Sequence, residues 1–591
     1  MKIPNNPFSR ALGFLAIASL LAFSGAGCGD GGSGTSADLP ADTTPASISV
    51  ARHPGGKGAI ISFFDEAGAR LKVDKELLAE EITLEPGGVL SSLAAKDEGA
   101  ASVTVVCNSE GSVCSVFASG VTACDALNLC IGDGVLPAEC ENDECDPLDI
   151  EGCVEISAAK GAGGLIALDG EAGCYDDFVV SSFTFVGGAV PTASVSVYAG
   201  SVSPSAVPAV SKDVEESAEI RDVGRPLFIA GNVDGGDDPK IVIGGRGFIA
   251  VPVSGEVLPD FSEDSYAAIG DIGGAADAGD VDGDGIGDLL ITEIVSDHEM
   301  NFHLLPGGSL VAGARHLAEY SKTRLLPPFA DLVESSRPKG GADINGLSVD
   351  SQSFSDVMAL FMDDAGRSLL AVYFGRGDFD GTYDAILLGE RAGDRFGYSP
   401  DLGDVDGDGY ADILTTASAA GSADQGALYL FRGGENFVSR VADSAWMKVE
   451  GESPGQKLGG SVFLGDVNGD GFGDFAARSA DVIGVPQVHI FFGAAKDDLR
   501  GLWSLSDAAA VTIYAEDGVS GLAGLGDIDG DGTMDFLVST NDEILCIFLG
   551  GSLEGKIGAE KIVHVMDADL FIEDFGDVDI DLRGVAGRLM R

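Results

Sequence analysis

Four nine-residue stretches with one grammar constrain this 591-residue chain more than any other feature. They run Asp280-Val281-Asp282-Gly283-Asp284-Gly285-Ile286-Gly287-Asp288 and Asp404-Val405-Asp406-Gly407-Asp408-Gly409-Tyr410-Ala411-Asp412. The other two are Asp466-Val467-Asn468-Gly469-Asp470-Gly471-Phe472-Gly473-Asp474 and Asp527-Ile528-Asp529-Gly530-Asp531-Gly532-Thr533-Met534-Asp535. Oxygen ligands at positions 1, 3 and 5 converge where the chain turns sharply, and glycine at position 6 permits the positive φ of such a turn. The carbonyl of position 7 (Ile286, Tyr410, Phe472, Thr533) is the expected backbone ligand, and the aspartate at position 9 closes the shell. Hard oxygen donors in a flexible loop suit Ca²⁺, whereas Mg²⁺ prefers a smaller octahedron and keeps its waters. Four calcium sites are therefore expected, one per loop. An EF-hand is excluded, because its loop needs Glu at position 12 and these loops carry Ile291, Thr415, Ala477 and Val538 there. Asp-Gly turns also occur as plain solvated hairpins, but four copies in register argue for the metal.

Three eroded copies extend the series: Asn232-Val233-Asp234, Asp343-Ile344-Asn345 with an insertion before Asp356, and Asp577-Val578-Asp579-Ile580-Asp581. The seven starts, at 232, 280, 343, 404, 466, 527 and 577, are spaced by 48, 63, 61, 62, 61 and 50 residues. A regular period of this size marks a repeat architecture. Each complete unit has an apolar residue followed by Gly or Ser before its loop (Ile272-Gly273, Phe396-Gly397, Leu458-Gly459, Val519-Ser520). A strand-like run follows the loop, and a later apolar strand ends in glycine, as at Gly375, Gly433, Gly493 and Gly550. Four short strands per unit make a propeller blade. The order Phe-Gly, then Gly-Asp-Val-Asp-Gly-Asp-Gly-x-x-Asp, then a strand ending in Phe-x-Gly resembles the FG-GAP repeat of the seven-bladed propeller that heads integrin α-chains. The resemblance covers residues 215–591 and implies a mainly β fold, with a last blade left incomplete or closed by an N-terminal segment. The eroded copies are expected to bind no metal; Lys240 stands where the first should have its closing Asp.

The rest of the chain is read more coarsely. Residues 1–27 are a targeting segment, with Lys2 and Arg10 ahead of the apolar run 11–23. With Cys28 it resembles a bacterial lipoprotein signal, which implies lipidation of Cys28; an ordinary secretory signal is the alternative. Residues 28–46 then form a tether. Eight cysteines (Cys107, Cys114, Cys124, Cys130, Cys140, Cys145, Cys153, Cys174) cluster in residues 47–199, which read as a small, disulfide-rich β domain with 105 possible connectivities. A linker over 200–214 leads to the propeller. Export to a bacterial envelope, and to the outer membrane in particular, is the expectation, with the membrane met only through the lipid.

The 35 Lys and Arg against 95 Asp and Glu leave a formal charge of −60, which repels nucleic acid and anionic membranes. No catalytic constellation stands out. Gly451-Glu452-Ser453-Pro454-Gly455 spells Gly-x-Ser-x-Gly, but Pro454 lacks the N–H an oxyanion hole needs. His298-Glu299 and His303 miss the metalloprotease spacing by one residue. Arg376-Gly377-Asp378 and the tryptophans Trp446 and Trp503 read as a turn and as packing. The chain is thus expected to be a calcium-stabilised surface module for adhesion, binding protein or glycan and not catalysing. The alternative is an extracytoplasmic enzyme acting on polysaccharide or ester, its site in the cysteine-rich domain or a propeller pocket.

Overall fold

Glycine-rich inner strands and buried, mainly apolar middle strands are the local chemistry from which this chain builds a closed ring. The computed structural model describes most residues between 175 and 572, the strands at 579–580 and 584–586, and seven strands before residue 157. The targeting segment, Cys28 and the tether lie outside the described residues, as do Cys124, Cys140, Cys145 and Cys174. No helix among the described residues is long and apolar enough to cross a membrane.

Seven antiparallel sheets form the propeller. Numbered in chain order, the blades' main strands lie within residues 178–215 (blade 1), 227–270 (2), 272–324 (3), 333–388 (4), 396–450 (5), 459–514 (6) and 519–572 (7), and blades 3, 5, 6 and 7 have the simplest order. Blade 5, for example, runs Phe396–Gly403, Asp412–Ala417, Ala427–Phe431 and Met447–Glu450 from the inside outward. The calcium-type loop joins first strand to second in each, so all such loops emerge on one face. Middle strands such as Asp412–Ala417 and Ser368–Tyr373 are buried at every residue. A blade's middle strand is covered on both faces by neighbouring blades, so it is buried without alternation, with an apolar majority and a few buried polar residues such as Asp412 and Thr415.

The core is accordingly divided into seven wedges, each shared by two adjacent blades. Outer edges are covered too. Short strands at Gly313–His316, Arg440–Val441, Gly501–Ser504 and Ile562–His564 each reach back and pair in parallel with the outer strand of the preceding blade. Such cover blunts an edge that could otherwise template association.

Ring closure departs from the expected boundaries. Blade 1 is made of Phe178–Phe185, Thr192–Tyr198 and Val210–Glu215, which the sequence divides between the cysteine-rich region and the linker. Its inner strand comes from the other end: Gly584–Ala586 pairs with Ser181, Val180 and Val179, and Asp579–Ile580 pairs with the same strand. Gly584–Ala586 also adjoins the inner strands of blade 7 (Val519–Gly526) and blade 2 (Leu227–Ala230). Phe178, Val180 and Tyr198 pack with Leu525, Leu537 and Ile547, which completes the seventh wedge. The expected seventh loop at 577–581 is therefore corrected: its residues 579–580 are strand, and blade 1 takes its closing aspartate, Asp177, and its outer strands from residues 177–215.

Before the ring in sequence lie two small antiparallel sheets, one of Ser47–Arg52, Gly58–Phe64, Val113–Ala118 and Val103–Cys107, the other of Ile82–Pro86, Leu127–Ile131 and Gly152–Ile156. In the first, Cys107 stands opposite Cys114; in the second, Cys130 stands opposite Cys153.

Candidate metal centre

Each complete loop wraps around its first aspartate. Asp280 Oδ1 accepts the N–H groups of Gly283 (2.7 Å) and Asp284 (3.1 Å), and its Oδ2 accepts that of Gly285 (2.8 Å). Asp404 and Asp466 repeat the three bonds with their own loops. The turn needs positive φ at position 6, at 83°, 84°, 93° and 85° for Gly285, Gly409, Gly471 and Gly532. Position 4 needs it equally, at 72–75° in the four loops, a requirement the motif carried and the sequence reading left unassigned.

The aspartate at position 9 has a second task. Asp288, Asp412, Asp474 and Asp535 are all fully buried. In each, one carboxylate oxygen accepts the N–H of loop position 2 and the other accepts the N–H of the glycine that ends the third strand. For Asp474 the donors are Val467 (2.9 Å) and Gly493 (2.8 Å). For Asp535 they are Ile528 and Gly550, both at 2.8 Å. Asp356 plays the same part past the insertion, with Ile344 and Gly375 as donors. In blade 1, Asp177 accepts from Gly200 at 2.8 Å. The glycine is required because a Cβ at Gly493 would lie 2.4 Å from the Gly473 carbonyl and 2.7 Å from that of Val405 in the neighbouring loop.

Carboxylates do gather. Asp280, Asp282 and Asp288 each offer an oxygen within 4.8 Å of the others; so do Asp404, Asp406 and Asp412, and Asp527, Asp529 and Asp535. The position-5 residues Asp284, Asp408 and Asp531 fall outside these trios, and Asp466, Asp470 and Asp474 form none. Asp470 instead accepts from Asn468 Nδ2 at 2.9 Å. Burial, against the pull of its two backbone donors, pushes Asp288 up to about 7. Burial first, with Asp176 and the other loop acids adding to it, pushes Asp527 up to about 8. A cluster that resists ionising when buried is one that a cation would stabilise.

Asp527 Oδ1 and Asp406 Oδ1 are both buried with no hydrogen-bond partner. No basic side chain bridges the Asp280 or Asp527 trios among the described residues. At the Asp404 loop the arrangement differs: Arg432 donates from Nε to Asp406 and from Nη2 to Asp408. In the eroded first loop, Lys240 Nζ lies 3.4 Å from Asp234.

The other sequence features lie in turns and strand pairs of the blades. Glu452 N and Ser453 N donate to Gln456 Oε1, a turn between blades 5 and 6. His303 Nε2 lies 2.7 Å from Glu293 on the neighbouring strand, and His298 is outside the described residues. Arg376 pairs with Asp384 at 3.0 Å in the turn after blade 4's third strand. A cleft of about 860 Å³ is lined by Glu452, His489, Tyr514, Lys561, His564 and Asp567 among others. Its carboxylates are engaged separately, Glu452 by Ser506 Oγ (2.7 Å) and Asp567 by His564 N (3.3 Å).

Residues 396–431 match the family model described as the FG-GAP repeat. Integrin alpha-7 of Rattus norvegicus is 31% identical over 194 residues, 32% of this chain and 16% of that protein. Integrin alpha-PS2 of Drosophila melanogaster is 35% identical over 97 residues, 15% of this chain and 7% of that protein. Integrin alpha-PS5 of the same organism is 35% identical over 115 residues, 18% of this chain and 11% of that protein. The chain thus spans less than a fifth of the length of these relatives.

Proposed function

Starting from an FG-GAP, integrin-α-like seven-bladed propeller, we propose that the chain is a calcium-stabilised adhesion module that binds a protein or glycan. The observation that carries this reading is the row of acidic loops on one face, each fastened to the next. The Asp404 carbonyl accepts from Gly473 N at 3.1 Å, and the Asp466 carbonyl from Met534 N at 2.8 Å. A cation in one loop therefore stiffens the seam with its neighbour. Loops held rigidly on a scaffold are where binding surfaces form. In this reading Cys28 carries a lipid that tethers the module to the outer face of a bacterial envelope, and the −60 charge keeps nucleic acid away.

With a dissociation constant of ~0.1 mM and ~1 mM free calcium, each occupied site adds about 1.4 kcal/mol. Thermal melting in 1 mM calcium and in excess chelator tests the metal. The midpoint should fall on chelation, and an unchanged transition would sink the assignment. Binding is tested by capture of extracellular-matrix proteins and of glycans on an array, with and without calcium. Retention of neither class would count against the adhesion reading.

A further inference from the structure

One of the four complete loops differs from the others in what reaches into it. The residue before the strand-end glycine is Pro306, Phe374, Phe492 or Leu549 in four blades and Ala199 in blade 1. In blade 5 it is Arg432. Its guanidinium forks between Asp406 and Asp408, whose side chains are 1% and 3% exposed. Arg440 Nη1 donates to the Arg432 carbonyl at 3.2 Å and its guanidinium lies over the Phe437 ring at 4.9 Å, so a second positive charge backs the first.

We propose that Arg432 is the resident cation of the Asp404–Asp412 loop, so that this blade is held without calcium and the chain binds one calcium fewer than its motifs suggest. The inference deepens the calcium reading above and rests on it for the other loops. A calcium ion needs the oxygens of positions 1, 3 and 5 at about 2.3–2.6 Å. A guanidinium bonded to the carboxylates of positions 3 and 5 takes an oxygen of each away from an ion, and guanidinium keeps its charge at every physiological pH. The planar fork also matches two carboxylates better than an ammonium would. Lys240 against Asp234 is a cruder version of the same replacement, in a loop that has lost its closing aspartate. The Asp404 loop, by contrast, keeps all its acids, which is why its sequence looks like that of a metal site.

The test is calcium stoichiometry on the full chain, by equilibrium dialysis with metal analysis and by calorimetric titration. Arg432→Met removes the charge at similar length and should bind one more calcium than the unsubstituted protein. Should that variant fail to fold, Asp406→Asn reports in its place. It should leave stoichiometry unchanged, whereas Asp282→Asn and Asp529→Asn should each lose a calcium. Equal stoichiometry in the unsubstituted protein and Arg432→Met, or loss of a calcium in Asp406→Asn, overturns the proposal. An unsubstituted protein that binds no calcium defeats the broader reading, while a gain of one in Arg432→Met would still uphold Arg432 as the replacement.

Discussion

At the residue scale, the closing aspartate and the strand-end glycine work as a single latch. The carboxylate takes two backbone N–H groups, and the glycine lets two carbonyls approach within 3 Å of where a Cβ would be. Gly493→Ala should therefore lower stability by about 1–3 kcal/mol, the usual cost of forcing atoms into a packed site, read by thermal melting at saturating calcium. His489 supplies a second handle. It is buried, with Nε2 2.7 Å from Ser479 Oγ and Nδ1 3.0 Å from Thr512 Oγ1, and burial pushes it down to about 4. Its folded value lies below the ordinary value of about 6.5, so the unfolded chain binds the proton first. Stability should fall as pH drops from about 6.5 to about 4, by about 3 kcal/mol in total. His489→Gln should flatten that slope by close to one proton in denaturant titrations at fixed calcium saturation; an identical slope would refute the assignment.

At the scale of elements, legibility followed contiguity. Each complete loop is nine consecutive residues, and glycines at forced φ values stand beside the acids, so the sequence showed the loops and their order directly. Arg432 was hidden because its partners lie 24 and 26 residues earlier and it sits where a strand merely ends. Blade 1 was hidden for a related reason: Asp177-Phe178 keeps the latch aspartate but has lost the Gly-Asp-Gly signature ahead of it. In the region before the ring, pairing register now narrows the disulfide problem. Residues directly opposite in an antiparallel pair have Cα atoms about 4.5–5.5 Å apart, within disulfide range. Cys107–Cys114 and Cys130–Cys153 should therefore appear as linked peptides in non-reducing mass-spectrometric maps. That would leave Cys124, Cys140, Cys145 and Cys174, with three connectivities instead of 105. Recovery of Cys107 or Cys130 linked elsewhere would refute the register assignment.

At the scale of the whole molecule, the seven wedges make stability a property of the closed ring, because every blade needs both neighbours to bury its middle strands. Removing residues 573–591 takes away the inner strand of blade 1 and exposes the flanks of blades 7 and 2. The truncated chain should melt at a lower temperature and in more than one step, and calorimetry would show the split; one unaltered transition would mean the last strand is dispensable. The pairing of Gly584 with Ser181 spans 403 positions of chain. A ribosome releases the three outer strands of blade 1 hundreds of residues before the strand that completes them. The nascent propeller therefore stays an open arc until residues 584–586 have been made.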